Sequence, residues 1–78
     1  ERTPHFKREF GKFPHNVRRA LEKQITFLLQ DIRHPSLRAK KYDETAGVWQ
    51  ARVTGNVRFY FQIAGGTYFL LNIRKHPK

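Results

Sequence analysis

Cysteine and methionine are both absent from this chain of 78 residues. Without cysteine the chain has no disulfide framework, no thiolate metal site and no cysteine nucleophile. Ser36 is its only serine, so serine nucleophile chemistry is unsupported as well. The histidines show neither HxxxH nor HExxH spacing and carboxylates are scarce, so we expect no metal site and no cofactor. One small core without cross-links must hold the chain together.

Long apolar runs are also missing. The least charged stretch, Val57–Ile73, contains Arg58 and is interrupted by Gly65-Gly66. It falls short of the roughly 20 apolar residues that a membrane-spanning helix needs. The opening residues, Glu1-Arg2-Thr3-Pro4, have neither an initiator methionine nor the apolar stretch of a signal peptide. We expect a cytoplasmic protein that makes no membrane contact, or a chain that has lost its beginning.

Negative charge is scarce. Lysine and arginine number 16 against 6 acidic residues, which gives a formal charge of +10. Self-repulsion at this charge favours an anionic partner. Seven Phe, three Tyr and one Trp supply too much bulky apolar surface for a disordered basic tail. The composition therefore indicates a folded basic domain with a polyanionic partner.

Two helices are predicted at the start of the chain. Thr3 followed by Pro4 is typical of a helix start, and phenylalanines at the spacing of one helix face predict a helix over about 4–12. Beyond Pro14, a second apolar stripe predicts a helix over about 15–31. The stripe consists of Val17, Leu21, Ile25, Leu28 and Leu29. Two amphipathic helices this close together form a helical hairpin.

From Val48 onward the apolar period changes to two, which predicts strands. Gly55-Asn56 and Gly65-Gly66 mark tight turns between three of them. The predicted fold class is α+β, with an N-terminal helical hairpin packed on one face of a small antiparallel sheet, in one domain over residues 1–78. The helices are expected to cover one row of the sheet: Trp49, Val53, Phe59, Phe61, Phe69 and Leu71.

The opposite sheet face is predicted to be polar and basic, because side chains alternate along a strand. It carries Gln50, Arg52, Arg58, Tyr60, Gln62, Asn72, Arg74 and His76. Like charges on neighbouring strands repel by roughly 0.2–1 kcal/mol per opposed pair, and residues 45–78 include no carboxylate. A merely solvated face is one interpretation. An anion-binding site is the other interpretation. The planar guanidinium groups of arginine, beside a tyrosine ring that can stack on a base, suit RNA better than a small anion.

Two further groups of residues stand near this face. The segment 37–41, expected to be a loop, adds the cations Arg38, Lys40 and Lys41 and would extend a phosphate track. Glu44 either balances these lysines or serves as a carboxylate base. His76 lies among cations that favour a neutral imidazole, the form that a general base requires.

Several segments behind the predicted hairpin carry a resemblance to a known family. They are 35–41 (PSLRAKK), 48–53 (VWQARV), 57–61 (VRFYF) and 73–78 (IRKHPK). In this order they resemble the RelE/ParE superfamily of type II toxin–antitoxin toxins, over essentially the whole chain. The strand arginine, Arg58, and the terminal Arg74-Lys75-His76 resemble the messenger RNA interferase branch. Family members usually begin with a short strand before the first helix, whereas this chain is expected to open on the helix, so that first edge strand is either lost from the chain or absent by nature.

The resemblance implies a ribosome-dependent messenger RNA endoribonuclease, with the ribosome, messenger RNA and a cognate antitoxin as partners. Its reaction is metal-independent attack of a ribose 2′-OH that leaves a 2′,3′-cyclic phosphate. It implies catalytic roles for Arg58, His76, Arg74 and Arg52, with Arg58 on the scissile phosphate, His76 as base, and His76 or Tyr60 as acid. Implied RNA-binding residues are Lys40, Lys41, Tyr60, Lys75 and Arg38.

Two other functions remain open. A ParE-like inhibitor of DNA gyrase would need no catalytic arginine and histidine, so Arg74-Lys75-His76 argues against it. A noncatalytic or degenerate RNA-binding member is favoured by Gln50, where many ribosome-dependent toxins have a lysine, and by the lack of a tyrosine after the terminal basic cluster.

Overall fold

Two helices precede four strands in the computed structural model, which describes residues 1–75. The elements are α1 (Pro4–Lys12), α2 (His15–Gln30), a short 3-10 helix (Pro35–Leu37), β1 (Lys40–Asp43), β2 (Val48–Thr54), β3 (Val57–Ala64) and β4 (Thr67–Lys75). Both predicted helices, the three predicted strands and the α+β class are confirmed. Within residues 1–75, no helix has the length and apolar character that crossing a membrane requires.

The start of α1 follows the predicted capping pattern. The hydroxyl of Thr3 accepts a hydrogen bond of 3.2 Å from the backbone N–H of Phe6, and Pro4 occupies the first helical turn. The helix ends at Lys12, and Phe13 is extended because it precedes Pro14. α1 packs on β4 and α2 packs on β2, so the two helices cover the same face of the sheet.

The four strands form one antiparallel sheet in the order β1-β2-β3-β4. β1 lies where a loop is predicted, so that part of the prediction is wrong. Its four residues, Lys40–Asp43, are all exposed and show no apolar alternation. Pairing with β2 makes this segment a strand, and the local sequence carries no sign of it.

A β-bulge in β4 changes which residues reach the core. Tyr60 pairs with Asn72 and Phe61 pairs with Leu70, which leaves Leu71 as the extra residue. Leu70 is consequently 4% exposed, whereas Leu71 and Phe69 are only half-buried. The prediction that Phe69 and Leu71 face the helices is therefore wrong, because a slip of one residue moves side chains to the other face.

The core lies between the helices and one face of the sheet. Its buried members are Phe6, Leu21, Ile25, Leu28, Leu37, Ala51, Val53, Val57, Phe59, Phe61, Leu70 and Ile73. The predicted core positions Val53, Phe59 and Phe61 are confirmed. Trp49 packs on the edge of the core, with its ring centroid 6.2 Å from that of Phe61. At the β3–β4 turn, Gly65 and Gly66 have φ of 55° and 76°, the left-handed values that a two-residue hairpin turn requires.

The residues before α1 lie along the outer edge of β4. Arg2 forms a parallel bridge with Leu70, whose N–H donates to the carbonyl of Glu1 at 2.8 Å. The N–H of Thr3 in turn donates to the carbonyl of Leu70 at 3.1 Å. The first helix or strand of the described residues is α1, as expected, and residues 1–3 add a single bridge at the sheet edge without forming a strand.

Candidate nucleic-acid interface

Three arginines stand side by side across the sheet. The strand register places Arg52 opposite Arg58, and Arg58 opposite Arg74. Directly opposed residues share a face, and here it is the face turned away from the helices, which we call the open face. With strands about 4.8 Å apart, this arginine row spans roughly 10 Å. The predicted clustering of these three residues is confirmed.

The charge of the arginine row is not neutralised by carboxylates of the described part of the chain. Within residues 1–75, the ion pairs involve Arg2, Lys12, Arg33 and Lys41 as the cations. Each of these pairs lies outside the row. The open face therefore keeps a concentrated positive charge that suits an anion.

The guanidinium of Arg58 is held in place by the β2–β3 turn. Its Nη1 donates to the backbone carbonyls of Thr54 at 2.7 Å, Val57 at 3.1 Å and Gly55 at 3.4 Å. An arginine has five N–H donors, so Nε and Nη2 of Arg58 are left to bind an anion. Anchoring to the turn fixes this side chain before any ligand arrives.

A second row of side chains lies next to the arginines. Gln50 stands opposite Tyr60, and Tyr60 opposite Asn72. Nε2 of Gln50 donates to the hydroxyl of Tyr60 at 3.0 Å, and the two residues are 6% and 8% exposed. The ring of Tyr42 meets that of Tyr60 edge-on at 4.9 Å between centroids. Arg74 Cζ lies 6.0 Å from the centroid of the Tyr60 ring, within reach of a cation–π contact.

These aromatic rings line a cavity on the open face, which we call the tyrosine cavity. Its volume is about 180 Å³, and its walls are Tyr42, Asp43, Val48, Tyr60, Leu71, Asn72 and Arg74. Two of the walls are the extra residues of β-bulges, Tyr42 in β1 and Leu71 in β4. Bulges are frequent beside active sites because they re-aim single side chains, and here they shape the cavity next to the arginine row.

The predicted RNA-binding lysines lie on both faces. Lys40 pairs with Gln50 and shares the open face. Lys41 pairs with Trp49, and its Nζ lies 5.3 Å from the Trp49 ring centroid on the helix side. Lys75 pairs with the core residue Val57 and so belongs to the helix side too. Lys41 and Lys75 therefore do not share the face of the arginine row, because side chains alternate along a strand, and their RNA-binding role stays a prediction.

The remaining residues predicted from the sequence as binding or catalytic residues are considered in turn. Arg38 follows the 3-10 helix with a left-handed φ of 47° and lines a pocket at the end of β2 together with Arg52. Glu44 carries an oxygen 3.5 Å from Nζ of Lys41, which fits the charge-balancing role. His76 lies outside the described residues.

A buried glutamine of α2 fixes the backbone of the arginine row. Nε2 of Gln24 donates to the carbonyls of Arg52 at 2.9 Å and of Ser36 at 3.0 Å. The hydroxyl of Ser36 donates to Oε1 of Gln24 at 3.2 Å. This end of β2 is therefore tied to both α2 and the 3-10 helix.

Tyr42 is not among the residues predicted from the sequence, and Asn72 is predicted only as part of the polar face. Tyr42 follows two lysines in a segment that reads as a loop, so nothing local places it over Tyr60. Asn72 was recognisable as a residue of the polar face, but its part in a cavity depends on the adjacent bulge at Leu71.

No family model matches the sequence, and no curated protein matches it either. Solved structures do share its fold. The RelB–RelE antitoxin–toxin complex from Methanococcus jannaschii aligns with a TM-score of 0.74 at 18% identity, covering 95% of this chain and 87% of that one. The toxin–antitoxin complex RelBE2 from Mycobacterium tuberculosis gives 0.73 at 22% identity, covering 99% and 94%. The YoeB/ParE toxin from Agrobacterium tumefaciens gives 0.66 at 19% identity, covering 97% and 96%. The chain therefore has the fold of RelE and YoeB/ParE toxins, as the resemblance implies.

Proposed function

We propose that this chain is the toxin of a type II toxin–antitoxin pair and that it cleaves messenger RNA on the ribosome. The observation that carries the proposal is the arginine row of the open face, placed beside the tyrosine cavity. Guanidinium groups bind phosphate through planar, charge-assisted hydrogen bonds. A row of three across about 10 Å, bordered by aromatic rings, matches a phosphodiester backbone with its bases.

The proposed reaction begins with the ribose 2′-OH next to the scissile bond. Its oxygen attacks the adjacent phosphorus while its proton passes to a base. The P–O5′ bond then breaks, O5′ receives a proton, and the products carry a 2′,3′-cyclic phosphate and a 5′-hydroxyl. The reaction needs no metal ion, because the extra negative charge of the pentavalent phosphorus is met by arginines.

Arg58 is the proposed main contact to the scissile phosphate. It is the central member of the arginine row, flanked by Arg52 and Arg74. Its guanidinium is already fixed by the carbonyls of Thr54 and Val57, so little reorganisation is needed when charge develops. Preorganised donors of this kind contribute strongly to catalysis.

Proton transfer is assigned to His76 as the general base, two residues beyond Arg74 in the sequence. The hydroxyl of Tyr60 accepts a hydrogen bond from Gln50 and lies in a nearly buried ring. This burial favours Tyr60 as a wall that positions the RNA, and leaves His76 the better candidate to protonate O5′ as well. Lys40 and Arg38 are proposed to hold backbone phosphates away from the scissile bond.

Gyrase inhibition is the second candidate function. It is favoured by one observation, the shared fold of the YoeB/ParE toxin from Agrobacterium tumefaciens. Primer-extension toeprinting on programmed ribosomes and a gyrase supercoiling assay on the same preparation separate the two. We expect new messenger ends inside the ribosomal A site and unchanged supercoiling. Inhibited supercoiling with intact messenger would establish the second function, and a protein inactive in both assays would be a noncatalytic member.

An antitoxin is the proposed protein partner. Two of the solved structures of this fold are toxin–antitoxin complexes. A chain with a formal charge of +10 and a basic open face suits an acidic segment that covers the arginine row. Inhibition would follow because the same arginines could not then reach RNA.

A further inference from the structure

We infer that Gln24 is a positioning residue of the proposed site: it fixes the β2–β3 turn and, through that turn, the guanidinium of Arg58. The inference rests on the proposed function, in which Arg58 contacts the scissile phosphate. Gln24 belongs to α2, which packs on the sheet face opposite the arginine row, so it acts through other residues.

Gln24 is a polar residue among apolar ones. It is 6% exposed, and the other buried residues of α2 are Leu21, Ile25 and Leu28. Burying an amide is unfavourable unless its polar atoms form hydrogen bonds. A hydrophobic side chain of similar length would fill this position without needing any partner. Packing alone therefore does not explain the amide.

Both ends of the Gln24 amide form hydrogen bonds. Nε2 donates to the carbonyl of Arg52 at 2.9 Å and to that of Ser36 at 3.0 Å, and Oε1 accepts from the hydroxyl of Ser36 at 3.2 Å. The opposite orientation would bring the amide oxygen against two carbonyl oxygens, so these contacts allow only one orientation. A buried amide that is paired in this way rigidifies the segments that it joins.

The contact from Gln24 falls where the β2–β3 pairing is interrupted. The register changes between Arg52 and Thr54, so Val53 is the extra residue of a β-bulge directly after Arg52. A bulge disrupts the hydrogen-bond ladder locally. At this point a donor from α2 holds the backbone of β2 independently of β3.

The turn that follows the bulge lies against two arginines of the row. Nη1 of Arg58 donates to the carbonyls of Thr54 at 2.7 Å and Gly55 at 3.4 Å. Nη2 of Arg52 lies 3.9 Å from the position of a Cβ added to Gly55, so this guanidinium flanks the same turn. A displacement of the turn therefore displaces the charge that is proposed to meet the scissile phosphate.

This arrangement predicts a particular kinetic effect. Without the donor of Gln24, the three positive charges of the arginine row remain, so the attraction for RNA should be preserved. The placement of Arg58 should become less exact, and a displacement of about 1 Å can cost on the order of 10²-fold in rate. Loss of the donor should therefore lower the cleavage rate and leave the affinity for the substrate unchanged.

The first measurement follows Arg58 in the free protein and needs no cleavage. Gln24→Met keeps the approximate length of the side chain and removes the donor. Nitrogen-15 relaxation should show the order parameter of Arg58 Nε falling from about 0.85, typical of a rigid group, to below about 0.6. Ser36→Ala keeps both donors of the amide but leaves its oxygen unpaired, and should give a smaller decrease.

Two control variants should leave the order parameter of Arg58 unchanged. Ile25→Val removes a methyl group from the core side of the same helix and lowers stability through packing alone. Gln30→Met makes the same substitution as Gln24→Met at an exposed position of α2.

The second measurement is single-turnover messenger cleavage on programmed ribosomes over a range of chain concentrations. Gln24→Met should cleave about 10- to 100-fold more slowly at saturation, with an unchanged half-saturating concentration. Ile25→Val should melt at a lower temperature and yet cleave at the unaltered rate per folded molecule. This comparison separates positioning from a loss of folded protein.

Three results would overturn the inference. An unchanged order parameter of Arg58 in folded Gln24→Met would mean that Gln24 does not fix the guanidinium. Equal losses of cleavage per folded molecule in Gln24→Met and Ile25→Val would make Gln24 merely structural. A raised half-saturating concentration at an unaltered rate would make Gln24 a residue of RNA binding.

The two measurements also separate this inference from the proposed function. If Gln24→Met does not fold, an unchanged order parameter of Arg58 in Ser36→Ala overturns the inference by itself. If the unaltered chain cleaves no messenger, the proposed function fails, and the relaxation data still decide whether Gln24 holds Arg58 in place.

Discussion

Arg58 lies directly opposite Arg74 in the β3–β4 register, with Arg52 opposite Arg58 on its other side. Each opposed pair of like charges destabilises a sheet by a few tenths to about 1 kcal/mol. The fold keeps this arrangement and anchors its central member to the β2–β3 turn. A bound phosphate backbone, as proposed, would offset this repulsion.

Replacing Arg74, the outer arginine of the row, should therefore increase the stability of the fold and weaken RNA binding. We expect Arg74→Gln to raise the free energy of unfolding by up to about 1 kcal/mol at low salt while weakening RNA binding. Urea denaturation at 20 mM and 500 mM salt measures the effect, which should shrink at the higher salt. Arg8→Gln makes the same charge change on the exposed face of α1 and is the control. A marked loss of stability in Arg74→Gln would mean that Arg74 is structural.

The β4 bulge predicts opposite behaviour for two adjacent leucines. Leu70 belongs to the core, whereas Leu71 lines the tyrosine cavity. Leu70→Ala should cost about 2–5 kcal/mol of unfolding free energy, enough to unfold much of a domain this small. Leu71→Ala should cost clearly less, because its side chain is only half-buried. Denaturant titration of both variants decides the point, and a larger loss at Leu71 would place the bulge elsewhere.

The neighbouring lysines of β1 provide a matched pair for RNA binding. For single-stranded RNA, the logarithm of affinity falls with the logarithm of salt concentration by about 0.7 per phosphate contact. Lys40→Gln should reduce this slope by about 0.7, since Lys40 shares the open face with Gln50. Lys41→Gln should leave it unchanged, because Lys41 lies over Trp49 on the other face. Equal effects of the two changes would show that RNA does not follow the open face.

Association with the proposed acidic antitoxin should depend on salt through its rate. Charge steering accelerates encounter, while contacts within the complex set dissociation. We expect stopped-flow association with the product of the neighbouring gene to slow steeply between 50 mM and 500 mM salt, with little change in the dissociation rate. An association rate indifferent to salt would mean that the antitoxin binds away from the arginine row.

The helices and the main strands were predictable because their signals are local. The Thr3-Pro4 start and the two glycines at Gly65-Gly66 fix their own backbone geometry, and the structure bears both out. β1 was not predictable. Its residues Lys40–Asp43 have no apolar alternation, and only pairing with β2 makes them a strand.

The candidate site was predictable only in part, again because the sequence shows local signals and not the pairing of distant strands. Strict alternation of side chains places Arg52 and Arg58 on one face of the sheet. The same alternation predicts the face of Arg74 correctly, because Arg74 lies beyond the β4 bulge. The tyrosine cavity escaped prediction, since it depends on two bulges that reposition Tyr42 and Leu71. A bulge adds one residue to one strand, and the pairing that reveals it involves distant parts of the chain.

The most direct test of the arginine row as a catalytic site is the single-turnover rate of messenger cleavage on programmed ribosomes. Arg58→Gln should cleave about 10²- to 10³-fold more slowly than the unaltered chain, because it loses the charge opposite the scissile phosphate. Arg8→Gln should cleave at the unaltered rate, and melting curves should confirm that both variants are folded. The unaltered chain should leave 2′,3′-cyclic phosphate ends. Cleavage by folded Arg58→Gln at the unaltered rate would contradict the assignment of this row as the catalytic site.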